Sequence, residues 1–369
     1  MATRLRLLNL LRSESMIIKN YLFPLLLIIF VTNSSFSGEK HWVEVDYYET
    51  ELVVTYACID CYDEFNCVAF GNHNFTDPRN RVTTDGGKTW TTTLIDDPDK
   101  EIGYKPASVS EVWYQSENLC IALCDSGYYW RSTERCQTWE RGKMEWVRSP
   151  NGLYARIEMY DEKFGVAHYT RDLYITTDGG INWEYTEPDL DSSYFPSVYK
   201  DISVPDERTI ILLVYNQKNT DYIIRSTDRG KTWVSADGIE NERNRMGRIF
   251  FFNEMEGYAC GSYQYEPPEP IYKDMIYYTS DGGESWDIQL DTLVYPKEGI
   301  RIEIHFHDRN NGYAVGWWNT FWETTNGGET WERDTSFTVG QYSAILTDYA
   351  FPKPGVIYGL TFMDRQIFK

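Results

Sequence analysis

Short runs of apolar and aromatic residues, bounded by Gly, Asp, Asn or Pro, recur along the whole chain, and helical spacing of apolar positions is scarce. Three stretches show the grammar: "IDCYDEFNCVAFG" (Ile59–Gly71), "IFFFNEMEGYACG" (Ile249–Gly261) and "IHFHDRNNGYAVG" (Ile304–Gly316). Each reads as a strand, an acidic turn, and a second strand ending on glycine. A third run follows, such as "DLYI" (Asp172–Ile175), "DYII" (Asp221–Ile224) or "MIYY" (Met275–Tyr278). The pattern predicts an all-β chain built from antiparallel strands.

After the third run comes an octapeptide with fixed ends. It is written "TTDGGKTW" (Thr83–Trp90), "TTDGGINW" (Thr176–Trp183), "STDRGKTW" (Ser226–Trp233), "TSDGGESW" (Thr279–Trp286) and "TTNGGETW" (Thr324–Trp331), with a decayed copy "STERCQTW" (Ser132–Trp139). Short Ser, Thr and Asp side chains cap backbone amides of their own turn. Glycine at the fifth place supplies the positive φ of a tight hairpin. The closing tryptophan is an apolar plate that can pack on neighbouring strands. Each octapeptide therefore joins a third strand to a fourth.

The tryptophans at 90, 139, 183, 233, 286 and 331 recur about every 48 residues, the size of one four-stranded propeller blade. Beyond residue 37 the chain has room for about seven such units. The seventh is expected at the ends: "YSAILTDYAFPKPGVIYG" (Tyr342–Gly359) restarts the unit and the chain stops where its turn should begin. "HWVEVDYY" (His41–Tyr48) would supply the missing outer strand. The expectation is a seven-bladed β-propeller of four-stranded blades, with Asp-box hairpins in six, closed by the N-terminal strand joining the last blade.

The octapeptide resembles the Asp-box, or BNR, repeat of sialidases, sortilin-type receptors and photosystem II assembly and stability factors. Together with the "GYAVG" strand it is most similar to the assembly-factor group, a likeness covering residues 41–369. The resemblance implies a seven-bladed scaffold and little about activity. In such a blade the boxes lie on one face, spreading Asp85, Asp178, Asp228 and Asp281 around the rim. Catalytic carboxylates need to lie within roughly 5–10 Å of each other, which neighbouring boxes would not. Asn326 and Glu134 replace Asp in two copies, and the further oxygen ligands of a calcium loop are missing from the sequence. These residues and Trp90, Trp139, Trp183, Trp233, Trp286 and Trp331 are read as structural.

The N-terminus changes the picture of destination. Lys19 precedes the apolar run Tyr21–Val31, followed by small residues at Ser35 and Ser37, the layout of a signal peptide over residues 1–37 with Met16 as a second start. An uncleaved anchor is the alternative, although the run is short for a bilayer span. Residues 38–369 are expected to form one domain, exported to the periplasm, cell surface or exterior, and monomeric. The formal charge of −21 disfavours nucleic acid and anionic membrane as partners. Seven cysteines give no metal-site spacing. In an exported chain, Cys61 with Cys67 and Cys120 with Cys136 are plausible disulfides; free buried cysteines are the alternative. No cofactor or metal is expected.

Recognition in a propeller sits on the loops leading into first strands and joining second to third strands, opposite the boxes. Aligning units by their mid-repeat glycine brings Glu111, Arg156, Asp201, Arg248 and Glu303 to one level, a ring of mixed charge. These can pair with one another, or the arginines can grip a charged or sugar-like group. Trp317, Trp318, Tyr104, Tyr154, Tyr194 and Tyr295 add aromatics that either contact a ligand or pack between blades. The reading is a non-catalytic scaffold binding a protein or glycan. The alternative is a sialidase-like glycoside hydrolase, for which the resemblance implies three arginines, a Tyr–Glu nucleophile pair, an Asp acid/base and an early Arg-Ile-Pro stretch. Only "ARIE", "GRIF" and "IRIE" occur, without the proline and far along the chain.

Overall fold

The computed structural model describes residues 28–31, 42–46, 54–73, 77–95, 109–124, 127–145, 155–190, 198–215, 221–236, 244–265, 271–294, 303–316, 320–334, 346–361 and 367–368. Their regular structure is entirely β, and no helix among them is long and apolar enough to cross a membrane.

Six sheets repeat one plan: four consecutive strands, each antiparallel to the next in sequence. They cover 54–94, 109–143, 156–186, 198–236, 244–294 and 303–333, here blades one to six. The first strand of each lies innermost and the fourth, short in every blade but the fifth, is outermost. First strands of successive blades are neighbours, and the buried cores lie between blades. Phe164, Val166 and Leu173 of blade three, for example, pack against Ile210, Leu212 and Ile224 of blade four.

The expectation of seven four-stranded blades is corrected to six. The remaining sheet has five strands in the order Ile28–Val31, Trp42–Asp46, Ile367–Phe368, Val356–Thr361, Leu346–Lys353. The expected closure, one N-terminal strand completing a regular last blade, is not what forms. Ile367–Phe368 is only two residues long. Trp42–Asp46 pairs with it through a shifted register, and Ile28–Val31 pairs both with Trp42–Asp46 and directly with Val356–Thr361. A strand this short leaves ladder groups of its neighbour open, and the N-terminal segment takes them up. Ile28–Val31 belongs to the stretch read as a signal peptide.

The six octapeptides explain why the blades repeat. In blade one, Gly87 N–H donates to Thr83 Oγ1 at 2.9 Å, Thr89 N–H to Asp85 Oδ1 at 2.9 Å, and Thr89 Oγ1 to Asp85 Oδ2 at 2.7 Å. The fourth and fifth residues both take positive φ, including the non-glycine pair Arg135 and Cys136 of the decayed copy. The fourth residue's N–H then reaches the turn between strands one and two of its own blade, as from Gly179 to Lys163 O at 2.9 Å. Each closing tryptophan wedges between its own blade and the preceding one. Trp183 packs on Leu119 and Ile121 of blade two, and Trp233 on Phe164 and Val166 of blade three. Such a plate removes roughly 150–250 Å² of apolar surface from water. The box glycine completes the seam: a Cβ on Gly180 would lie 2.5 Å from Ile121 Cδ1.

Cys61 and Cys67 are directly opposite on adjacent strands and form a disulfide. Cys120 and Cys136 do not, which corrects that pairing. Both are buried, and Cys136 is held at the fifth place of the decayed turn, its N–H on Ser132 Oγ. Burial, then a hydrogen bond between the two thiols, pushes the Cys120 thiol up.

Candidate functional site

The innermost strands of the six blades and Leu346–Lys353 surround one cavity of about 380 Å³, at the small end of the range for ligand pockets. Backbone geometry sets what points into it. In five of these strands the register shifts immediately before one residue: Glu111, Asp201, Arg248 and Asp348, which line the cavity, and Cys58, which is buried in the core beside it. A bulge re-aims the next side chain. Arg156 and Glu303 stand at the same level at the start of their strands.

The five residues of the sequence-derived ring, Glu111, Arg156, Asp201, Arg248 and Glu303, all line this cavity. They are also paired. Arg156 Nη1 bonds Glu111 Oε2, with Arg156 Nε 3.8 Å from Asp201 Oδ1, and Arg248 Nε meets Glu303 Oε1 at 2.9 Å. Trp317, Trp318, Tyr104, Tyr154, Tyr194 and Tyr295 lie outside the described residues.

Three carboxylates of the cavity escaped the sequence reading: Asp60, Glu158 and Asp348. Asp60 and Glu158 stand two residues beyond the ring level, on the same strand face. Asp348 was hidden by the glycine used as a ruler. Arg248 lies opposite Cys260, just before Gly261, whereas Asp348 lies opposite Leu360, just after Gly359. Register, rather than glycine position, would have found it.

These carboxylates also latch one inner strand to the next. Asp348 Oδ2 accepts from Ile59 N–H at 2.7 Å, Asp60 Oδ2 from Tyr114 N–H at 2.6 Å, Glu158 Oε1 from Val204 N–H at 2.9 Å, and Asp201 Oδ2 from Ile249 N–H at 2.8 Å. Inner strands of neighbouring blades share no ladder, so a side chain satisfies the facing amide.

Burial sets their proton affinity. Asp60, Glu111 and Glu158 are each pushed up to about 7, chiefly by burial. For Glu111, Arg156 pulls the other way and Glu303 adds to the rise. Asp201 and Asp348 are raised well above the usual carboxylate range by the same cause. His305 is lowered to about 3 by burial and by the neighbouring His307.

The box carboxylates behave oppositely. Asp228 is held down at about 2, first by the hydroxyl and amide of Thr232. Asp85, Asp178 and Asp281 are lowered too: burial raises them, but the hydrogen bonds of their own turns outweigh it. None of the box residues lines the cavity. Asn326 makes the same contacts, accepting from Thr330 N–H at 3.0 Å, and Glu134 retains the bond to Thr138 at 2.9 Å. Among the described residues, no group of three or more His, Cys, Asp or Glu is placed to hold a metal ion.

Repeated Asp-box hairpins on radially arranged four-stranded sheets around a charged channel define an Asp-box β-propeller. Comparison with known proteins agrees: the BNR/Asp-box repeat family matches residues 174–185. A photosystem II stability/assembly factor HCF136 of Guillardia theta is 24% identical over 204 residues, 49% of this chain and 49% of that protein. The match thus spans about half of that relative's length. Among solved structures, YCF48 bound to a D1 peptide superposes with a TM-score of 0.59 at 14% identity, covering 92% of this chain and 98% of that one. A GH74 xyloglucanase from Xanthomonas campestris gives 0.60 at 12% identity, over 89% of this chain and 55% of that one. These likenesses establish the fold and bear out the resemblance to the assembly-factor propellers.

Proposed function

We propose that this chain is an exported, non-catalytic propeller that captures a protein partner at a mouth of its central channel. One observation carries the reading: the charged side chains gather around a single cavity, while each box carboxylate is committed to its own turn. The D1 peptide bound by the structurally similar YCF48 supports a protein as occupant. The Cys61–Cys67 disulfide supports export.

The test is capture from the native exported fraction by the wild-type chain, by Arg156→Ala with Arg248→Ala, and by Trp317→Ala with Trp318→Ala. Loss of capture in either pair, with the cooperative melting transition retained, supports the channel-mouth site. Undiminished capture by both overturns it. Release of sugar from fluorogenic glycosides by wild type, abolished in the arginine pair, would replace the scaffold with a glycoside hydrolase.

A further inference from the structure

Carboxyl groups outnumber guanidinium groups in the channel. Six carboxylates line it against two guanidinium groups. Both arginines are held by ring carboxylates: Arg156 by Glu111 and Asp201, Arg248 by Glu303. Asp60, Glu158 and Asp348 hydrogen-bond only to backbone amides, and none is within ion-pair distance of a cation among the described residues, although Arg156 attracts Asp348 from farther away. A further anion is therefore poorly matched to this space, and a cation is well matched.

The walls add a second preference. Phe250, His305 and Phe351, from three successive inner strands, form a continuous aromatic surface. The ring centroids are 5.6 Å apart for Phe250 and His305, and 5.0 Å for His305 and Phe351, whose planes lie within 5° of parallel. Burial keeps His305 neutral, so this wall does not repel a cation. Trp113, also lining the cavity, stands two residues beyond Glu111. An aromatic wall facing carboxylates in a confined channel is suited to an ammonium or guanidinium group, which gains both ion pairing and cation–π attraction.

We propose that the channel receives the cationic tip of a lysine or arginine side chain presented by the protein partner, held by Asp348, Asp60 and Glu158 against the Phe250–His305–Phe351 wall. This deepens the capture role proposed above and rests on it. Capture is then pH-dependent. Between pH 6 and 8 Asp60, Glu111 and Glu158 change charge, each pushed up to about 7, while Asp201 and Asp348 are raised too, chiefly by burial, and Arg248 is paired with Glu303. Tyr62, Tyr114 and Tyr349 are raised by burial and stay neutral, while Arg156 stays charged. The pocket is therefore more anionic, and the cation better held, at pH 8.

The experiment is an NMR titration of the full chain, labelled at isoleucine methyls, reading the cavity residues Ile59, Ile157 and Ile249. The probes are three blocked pentapeptides: Gly-Gly-Lys-Gly-Gly, its Nε-acetyl-lysine form, and the form with Glu in place of Lys. The lysine peptide should give saturable shifts at pH 8 and bind several-fold more weakly at pH 6. Removing the positive charge by acetylation should cost roughly ten-fold or more, the equivalent of about 1.4 kcal/mol, and the glutamate peptide should not bind. Asp348→Asn keeps an acceptor for Ile59 N–H and should lose a similar factor at an unchanged melting temperature. Equal binding of lysine and acetyl-lysine peptides, or preference for glutamate, overturns the proposal within the wild-type chain. If Asp348→Asn captures the native partner normally while the arginine pair does not, the cation pocket falls and the capture site stands.

Discussion

Two populations of aspartate and glutamate occupy this propeller, and they are opposites. On the box face, Asp228 is held at about 2 by the hydroxyl and amide of Thr232. In the channel, Asp60 is pushed up to about 7 by burial, although Tyr114 and Cys61 amides bond it. The first kind is a fixed anion closing a turn. In the second, Asp60, Glu111 and Glu158 are brought to about 7, within the physiological range, and Asp201 and Asp348 are raised by the same burial. The same residue type, repeated in a repeat protein, is a fastened anion in one place and a proton-holding acid in the other. Hydrogen-bond supply and solvent access decide which.

The comparison can be broken from either side. The largest effect should come from the seams. Trp233, buried between blades three and four, should cost about 3–5 kcal/mol on substitution by alanine, as large core truncations do. Chemical denaturation would read it, with partner capture retained below the transition. Next is Gly180→Ala. Its φ of 76° disfavours a side chain, and the new Cβ would press on Ile121. A loss of about 1–3 kcal/mol is expected.

The channel predicts a pH effect of its own. The carboxylates of Asp60, Glu111 and Glu158 are raised in the folded state, so their stabilising contribution is complete below the ordinary carboxylate range and fades as pH rises through about 7. His168 and His305, lowered to about 3 by burial, contribute in the opposite sense: present above the ordinary histidine value, lost on acidification toward 3. Between pH 7 and 8.5 the carboxylates dominate. Unfolding free energy should fall by on the order of 1 kcal/mol across that interval, and Glu158→Gln should flatten the fall. A rise with pH would contradict the assignment. The smallest expected change is Asp178→Ala, a lost turn cap worth roughly 1 kcal/mol, with no change in the slope between pH 7 and 8.5.

What could be read from the sequence follows from how local each feature is. The box turn is specified within eight residues, so its capping bonds, the positive φ at its fifth place and the packing of its tryptophan were legible in "TTDGGKTW" and its copies, whereas the positive φ at the fourth place, taken by Arg135 and Arg229, was not. Cys61 and Cys67 flank one tight turn, so their pairing was legible too. Cys120 lies on the second strand of blade two and Cys136 in its box turn, and closeness alone did not join them. The number of four-stranded blades depended on how the two chain ends share one sheet, a long-range matter that period counting could not resolve. Ile367–Phe368 is too short for its place, and two N-terminal strands enter instead of one. In the site, the ring residues were legible because the mid-repeat glycine keeps register in the blades that carry it. Asp348 was missed because Gly359 stands on the other side of the pairing position. Asp60 and Glu158 needed a second level of the strand face to be considered. Their latching bonds to Tyr114 and Val204 cross between blades, which no pattern within one repeat encodes.

The most direct test sets one change in each population side by side: Asp178→Ala on the box face and Asp348→Asn in the channel, each assayed for melting temperature and for capture of the exported partner. The account predicts that the box variant melts lower and captures normally, while the channel variant melts as wild type and captures poorly. Loss of capture in the box variant together with normal capture in the channel variant would contradict it.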